Sequence, residues 1–175
     1  MAGTKTEVST LTLSIDSDIF LRSLLRELSG TLEEVVGLDE AAGFVSIVGQ
    51  HLGEWMDREY RNALSTERLN LQQVSDVLVD LKKRINGGFY IISMDRDKIV
   101  LGNRCCPFGD KVLNRSSLCM MTSNVFGTVS AENLGYARVC LDNTIARGDK
   151  ECKVTIHINQ NNTATQDEGR EYYKS

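Results

Sequence analysis

Residues 87–104 read GGFYIISMDRDKIVLGNR, and the character of the chain changes within them. Upstream, apolar residues recur every three to four positions; from Phe89 onward they come in short β-branched runs. FYIISMD (89–95) and KIVLGNR (98–104) are two such runs, and Arg96-Asp97 between them predicts a tight hairpin. Gly87-Gly88 marks the end of the helical part.

Working backward, residues 17–86 read as three helices. Leu21, Leu24, Leu25, Leu28, Leu32, Val35 and Val36 fall at helical spacing, and Gly37 punctuates. Asp39 is expected to cap a second helix, with Phe44, Ile47, Val48, Leu52, Trp55 and Met56 facing inward. Asn70 is expected to cap a third, with Val74, Val77, Leu78, Leu81 and Ile85 on one face. The glycines of AAGFVSIVGQHLGE (41–54) are spaced for close helix packing rather than for cradling a phosphate. Working forward, Ser117 to Asn133 reads as a helix despite Gly127. GYARVCLDNTI and CKVTIHIN then read as strands on either side of ARGDKE.

The predicted fold is α+β: three N-terminal helices followed by β-β-α-β-β, a four-stranded antiparallel sheet with helices on one face. The expected organisation is a flexible N-terminus over 1–13, one domain over 14–159, and a disordered polar tail over 160–175. In that tail Tyr172 and Tyr173 are the residues able to dock.

A chain of 175 residues with 41% hydrophobic content can bury a core as one domain. Its net charge of -4 and the lack of a basic stripe disfavour direct nucleic-acid binding. MAGTKTEVST has no apolar signal region, and no apolar run is long enough to span a membrane. The expected location is cytoplasmic, where the five cysteines are thiols, thiolates or ligands rather than disulfides.

Chain direction brings three of those cysteines together. Strand 98–104 ends at one edge of the sheet, and Cys106 lies just past it. The helix beginning near Ser117 starts at the same edge, carries Cys119 in its first turn, and descends about 25 Å at 1.5 Å per residue. The next strand climbs back, and Cys152 opens the last strand after the ARGDKE turn. Short connections therefore predict that Cys106, Cys119 and Cys152 share one end of the sheet. Cys119 at a helix N-terminus, with Lys111, Arg115, Arg147 and Lys150 close in sequence, is expected to have a lowered pKa. Cys105 is a fourth ligand, a resolving thiol or neither, since adjacent residues of an extended chain point apart. Buried cysteines are also ordinary small hydrophobes, and Cys140 in mid-strand is read that way.

Other chemistries have little to stand on. There is no GxGxxG, P-loop, HExxH or GxSxG. His51 lies on a helix with nothing to place it near the cysteines. His157, five residues after Cys152 in one strand, faces the opposite side of the sheet. No positioned base accompanies a thiol, so no enzyme is expected. Met120, Met121, Val125 and Phe126 are core, or else wall an apolar ligand pocket behind the cysteines.

NRCCPFGDKVLNRSSLCMMTSNVFG (103–127), IARGDKECKVTI (145–156) and AAGFVSIVGQHLGE resemble the methanogen output domain family of small prokaryotic regulatory proteins. That resemblance implies a signalling role. Cys-Pro, then Leu-Cys, then Gly-Asp-x-x-Cys is similar to the C-terminal region of SufR-type iron–sulfur repressors. It implies a cluster held by Cys106, Cys119 and Cys152, without the DNA-binding half of those proteins. The element order also resembles the vinyl-4-reductase-like sensor fold, some members of which hold zinc through cysteines. The expectation is thus a stand-alone sensory module with a metal site at Cys106, Cys119, Cys152 and Cys105. Its cofactor would be an iron–sulfur cluster, or alternatively zinc; it would respond to redox state and control a protein partner, with a homodimer as a further expectation. The rival is a small-molecule-binding sensor with structural zinc or free thiols.

Overall fold

The computed structural model describes residue 12, residues 15–160 and residues 169–174. The predicted flexible segment 1–13 lies outside these apart from residue 12. Among the described residues, four helices, α1 (Ser17–Val36), α2 (Leu38–Ala63), α3 (Leu71–Arg84) and α4 (Cys119–Leu134), accompany five strands. The strands are β1 (Phe89–Met94), β2 (Lys98–Asn103), β3 (Tyr136–Asn143), β4 (Cys152–His157) and β5 (Gly169–Tyr173).

All strand pairs are antiparallel, in the order β1-β2-β4-β3-β5. The α+β class and the 89–103 hairpin therefore stand, but the four-stranded sheet is corrected to five. The extra strand comes from the polar C-terminal stretch, where Gly169–Tyr173 pairs with Cys140–Tyr136. Polarity hid this strand because it is an edge. Only Tyr172 reaches inward, its ring lying where any side chain at position 127 would stand. Its hydroxyl meets Ser123 Oγ at 2.9 Å. A glycine inside a helix costs stability, and here it makes the seat for that ring.

The core lies between the sheet and the α3/α4 layer. Ile99 and Leu101 of β2, Val154 and Ile156 of β4, and Ala137 and Val139 of β3 alternate onto one face. Val74, Val77, Leu78 and Leu81 of α3 and Val125, Phe126 and Val129 of α4 cover them. Phe126 packs edge-on to Phe89, with ring centroids 5.2 Å apart. Asn70 caps α3 through a reciprocal box with Gln73, both bonds 2.9 Å.

The outer layer departs from expectation. The α2 helix begins at Leu38 directly after Gly37, whose φ of 86° makes the break from α1. Asp39 is therefore not the cap but a first-turn residue, where its charge suits the helix dipole. Phe44, Ile47, Val48 and Trp55 do not face inward; each is about half exposed. The buried face of α2 is Ala41, Val45, Ser46, Gly49, Gly53 and Asp57. Small residues win because α4 comes very close: a Cβ on Gly49 would fall 2.8 Å from Asn124 Cβ, and one on Gly53 2.9 Å from Thr128 Cβ.

Candidate functional site

The end of the sheet that follows Asn103 is built by close backbone approach. Gly88 N–H donates to Cys105 O at 2.8 Å and to Asn103 Oδ1 at 3.1 Å. A Cβ on Gly88 would fall 2.9 Å from Cys105 Cβ. The chain then runs through Cys106-Pro107 into two short 3-10 turns, Gly109–Val112 and Ser116–Leu118, before α4 starts at Cys119. Asn103 of β2 pairs with Cys152 of β4, so Cys152 sits at the same edge.

Cys106, Cys119 and Cys152 line one small cavity of about 30 Å³ at this edge. Val112, Leu118 and Ala146 form a satellite core against it, with Phe108 and Ile145 packed alongside. Cys105 does not line the cavity. It is exposed, and its Sγ lies 3.6 Å from the carbonyl oxygen of Asn86. Cys105 thus stands apart from the three thiols: Gly88 engages the Cys105 backbone, and it is Cys106 that turns into the cavity. Cys140 is in mid-strand, opposite Thr155, and His157 is paired with Lys98 away from the thiols.

The electrostatics of the site are set by burial. The Cys119 thiol is pushed up to about 12 by desolvation, with Cys106 and Cys152 adding to the rise. Burial likewise raises Cys106, against a backbone N–H from Phe108 that favours its thiolate. The expectation of a lowered Cys119 pKa is corrected. In an apolar cavity the cost of a bare thiolate exceeds the help given by a helix terminus and by Arg147. Of the nearby bases, Arg147 donates to the carbonyl oxygens of Leu141 and Asp142, at 2.8 and 3.0 Å, and Arg115 lies 3.6 Å from Glu33.

A second, fully buried cation acts on the thiols: Lys82. It is only 4% exposed, its Nζ donates to Thr122 Oγ1 at 2.8 Å, and it sits 5.2 Å from the Phe126 ring centroid. Desolvation pulls its pKa down to about 8, opposed by the negative charge that Cys106, Cys119 and Cys152 carry when ionised. Spacing alone carried a signal for it. Lys82 stands four residues after Leu78 and eight after Val74, on the apolar face of α3. A second feature went unforeseen. Thr144, 4% exposed, lines the cavity, and its Oγ1 has no hydrogen-bond partner.

Sulfur donors from three segments and an unpartnered hydroxyl thus line one space, with the Lys82 ammonium just behind its Thr122 wall. Among the described residues, no three His, Cys, Asp or Glu side chains converge closely enough to hold a metal ion. A space of about 30 Å³ takes a single ion or a water or two. An iron–sulfur cluster would have to displace the wall, and the cavity gives that expectation no support.

A second hollow, of about 380 Å³, opens between α2 and α3. Trp55, Met56, Tyr60, Leu81 and Ile85 line it. No helix among the described residues is long and apolar enough to cross a membrane.

Two solved structures share this fold. One is the phenol-responsive sensory domain of the transcription activator PoxR with phenol. It matches at 12% identity with a TM-score of 0.59, covering 83% of this chain and 76% of that one. The other is a trafficking protein particle complex subunit 3 from Naegleria fowleri covalently bound to palmitic acid. It also matches at 12% identity, with a TM-score of 0.55, covering 89% of this chain and 99% of that one. At such identity the likeness concerns the fold alone. No curated protein matches the chain. Residues 24–157, from the middle of α1 to the end of β4, match the methanogen output domain 1 family, and the chain belongs to that family.

Proposed function

We propose that the protein is a sensory or output module of a signalling pathway whose input site is the thiol cavity. Cys106, Cys119 and Cys152 would bind one thiophilic cation, Zn²⁺ being the chemical type that suits sulfur donors best. The observation that carries this reading is that three thiols from separate segments line one cavity, with a buried ammonium bonded to Thr122 in its wall. Three thiolates around a divalent ion carry a net charge of about -1, and Lys82 supplies the compensating charge within the same apolar surroundings.

Ion binding displaces thiol protons, so the raised pKa of Cys119 makes affinity rise with pH. Redox state enters because an oxidised cysteine no longer ligates. The segment that would report the change is 107–118, joined to Cys106 at one end and Cys119 at the other. A protein partner reading that segment completes the pathway. The reading is non-enzymatic, because thiols raised by burial are poor nucleophiles near neutral pH.

Metal analysis of protein purified and titrated without oxygen tests this. One ion per chain is expected. Cys106→Ser, Cys119→Ser and Cys152→Ser should each lower affinity at least tenfold, while Cys105→Ser and Cys140→Ser leave it unchanged. No ion bound at micromolar concentration at pH 8 would remove the reading.

A second reading rests on the hollow between α2 and α3, which has the size and apolar lining of a small-molecule site. Trp55 is the one tryptophan of the chain, so its fluorescence reports occupancy directly. A panel of simple aromatic compounds that leaves emission and melting temperature unmoved at millimolar concentration would set this reading aside.

A further inference from the structure

The α1 helix is amphipathic with its faces reversed. Arg26 donates to the carbonyl oxygens of Lys111 and Leu113 at 2.7 and 2.8 Å. Ser29 Oγ meets Ser117 Oγ at 2.6 Å, and Ser117 Oγ donates to Glu33 at 2.5 Å. The side turned toward the protein is thus the polar one, and the only buried residues of α1 are Ser29 and Gly30. The apolar side, Phe20, Leu24, Leu28 and Val35, is 59, 42, 54 and 75% exposed. The adjoining α2 adds Phe44, Ile47 and Val48, each about half exposed.

Together the apolar side chains of the two helices leave on the order of 1,000 Å² uncovered, against roughly 300–600 Å² for the largest patch on a typical monomer. That is enough to supply one side of a standard interface, roughly 800 Å² per partner. The charges around the patch choose among occupants. Arg22 is paired with Asp18 and Arg26 is spent on the 111–113 backbone. With Glu33 beside Arg115, Glu27, Glu34, Asp39 and Glu40 are then the remaining charges along α1 and the first half of α2. An acidic surround is repelled by anionic lipid headgroups, which interfacial helices attract through Lys and Arg. An apolar surface meets a copy of itself across a two-fold axis without needing a complementary charge pattern.

We infer that the outward face of α1 and α2 is the interface of a homodimer. The inference depends on neither the thiol site nor its occupancy. Because acidic residues flank the patch, the two copies repel at its margins, and added salt tightens the association.

Sedimentation velocity on the full chain tests it, in metal-free and zinc-loaded samples alike. The expected species between 1 and 100 μM has twice the 19.5 kDa chain mass, and its dissociation constant falls as salt rises from 50 to 500 mM. Leu28→Glu and Ile47→Glu should each weaken the dimer at least a hundredfold. Ile92→Glu, at a similarly exposed site on β1, should not. If either charged variant loses its helical circular dichroism, Leu28→Ser and Ile47→Ser take its place. A wild-type monomer at 100 μM in high salt overturns the inference, whatever else covers the face. So does a dimer that survives both substitutions.

Discussion

The α3/α4 layer and the α1/α2 layer both carry large apolar side chains and use them in opposite ways. In the first, Val74, Leu78, Phe126 and Val129 are fully buried against the sheet. In the second, Phe20, Val35, Phe44 and Ile47 remain half or more exposed, and the buried positions are small or polar. A period of 3.6 establishes that a helix has two faces. Which face is covered depends on what lies beside it. For α2, the glycines let α4 approach so closely that the bulky residues must point away. For α1, the loop 109–118 offers carbonyls and hydroxyls, so the polar face is the one that docks.

The sharpest way to break this contrast is to truncate one aromatic in each layer. Phe126→Ala removes a fully buried ring and should cost about 3–5 kcal/mol. Phe44→Ala, at 52% exposure, should change the stability of the monomer by less than about 0.5 kcal/mol. Urea unfolding at low protein concentration measures both. Equal losses would mean that α2 is docked through its bulky face after all.

Lys82 is the counterpart within the inner layer, a charge where the pattern expects an apolar residue. Its folded pKa of about 8 lies below the ordinary 10.5. The unfolded chain therefore binds more protons between those values, and stability rises with pH across that window. Below about pH 8 the full cost is present, on the order of 3 kcal/mol. Lys82→Met should raise stability near pH 7 by an amount of that order and flatten the rise between 8 and 10.5. Cys119 acts in the opposite sense. Its raised pKa contributes stability that is complete below about 9 and lost as pH climbs through about 12. Comparing wild type with Lys82→Met by thermal melts from pH 7 to 10.5 isolates the lysine. A destabilised Lys82→Met would show that its bond to Thr122 and its place over Phe126 outweigh the buried charge.

The seam between the layers predicts the next effect. Gly49→Ala places a methyl 2.8 Å from Asn124 Cβ and 3.2 Å from the Met121 backbone, and overpacking of this kind costs about 1–3 kcal/mol. A smaller effect, of opposite sign, belongs to Gly43→Ala on the same helix. A Cβ there meets nothing within 4 Å, and helix propensity predicts a gain of about 0.5–1 kcal/mol. A pair of melting curves distinguishes the two glycines, and losses of the same size would contradict close α2–α4 packing.

What could be read from residues alone was what depends on local order along the chain. The change of period at Phe89, the Asn70–Gln73 cap and the 89–103 hairpin are each set by neighbours a few positions apart. Even the meeting of Cys106, Cys119 and Cys152 belongs here, because alternating chain direction with short connections returns all three segments to one edge. Lys82 was missed at that level, although its spacing from Val74 and Leu78 on α3 carried the signal.

Tertiary structure alone decided the rest. The sulfur of Cys106 points in and that of Cys105 out because Gly88 grips the intervening backbone, a contact between residues 17 apart in sequence. Burial overrode the helix terminus at Cys119, since desolvation is a property of the assembled cavity and not of the peptide. The fifth strand forms because Gly127 leaves room for Tyr172, a pairing that no local pattern encodes. The outward faces of α1 and α2 follow from competition between two surfaces for the same neighbour, and that competition exists only once the chain has folded.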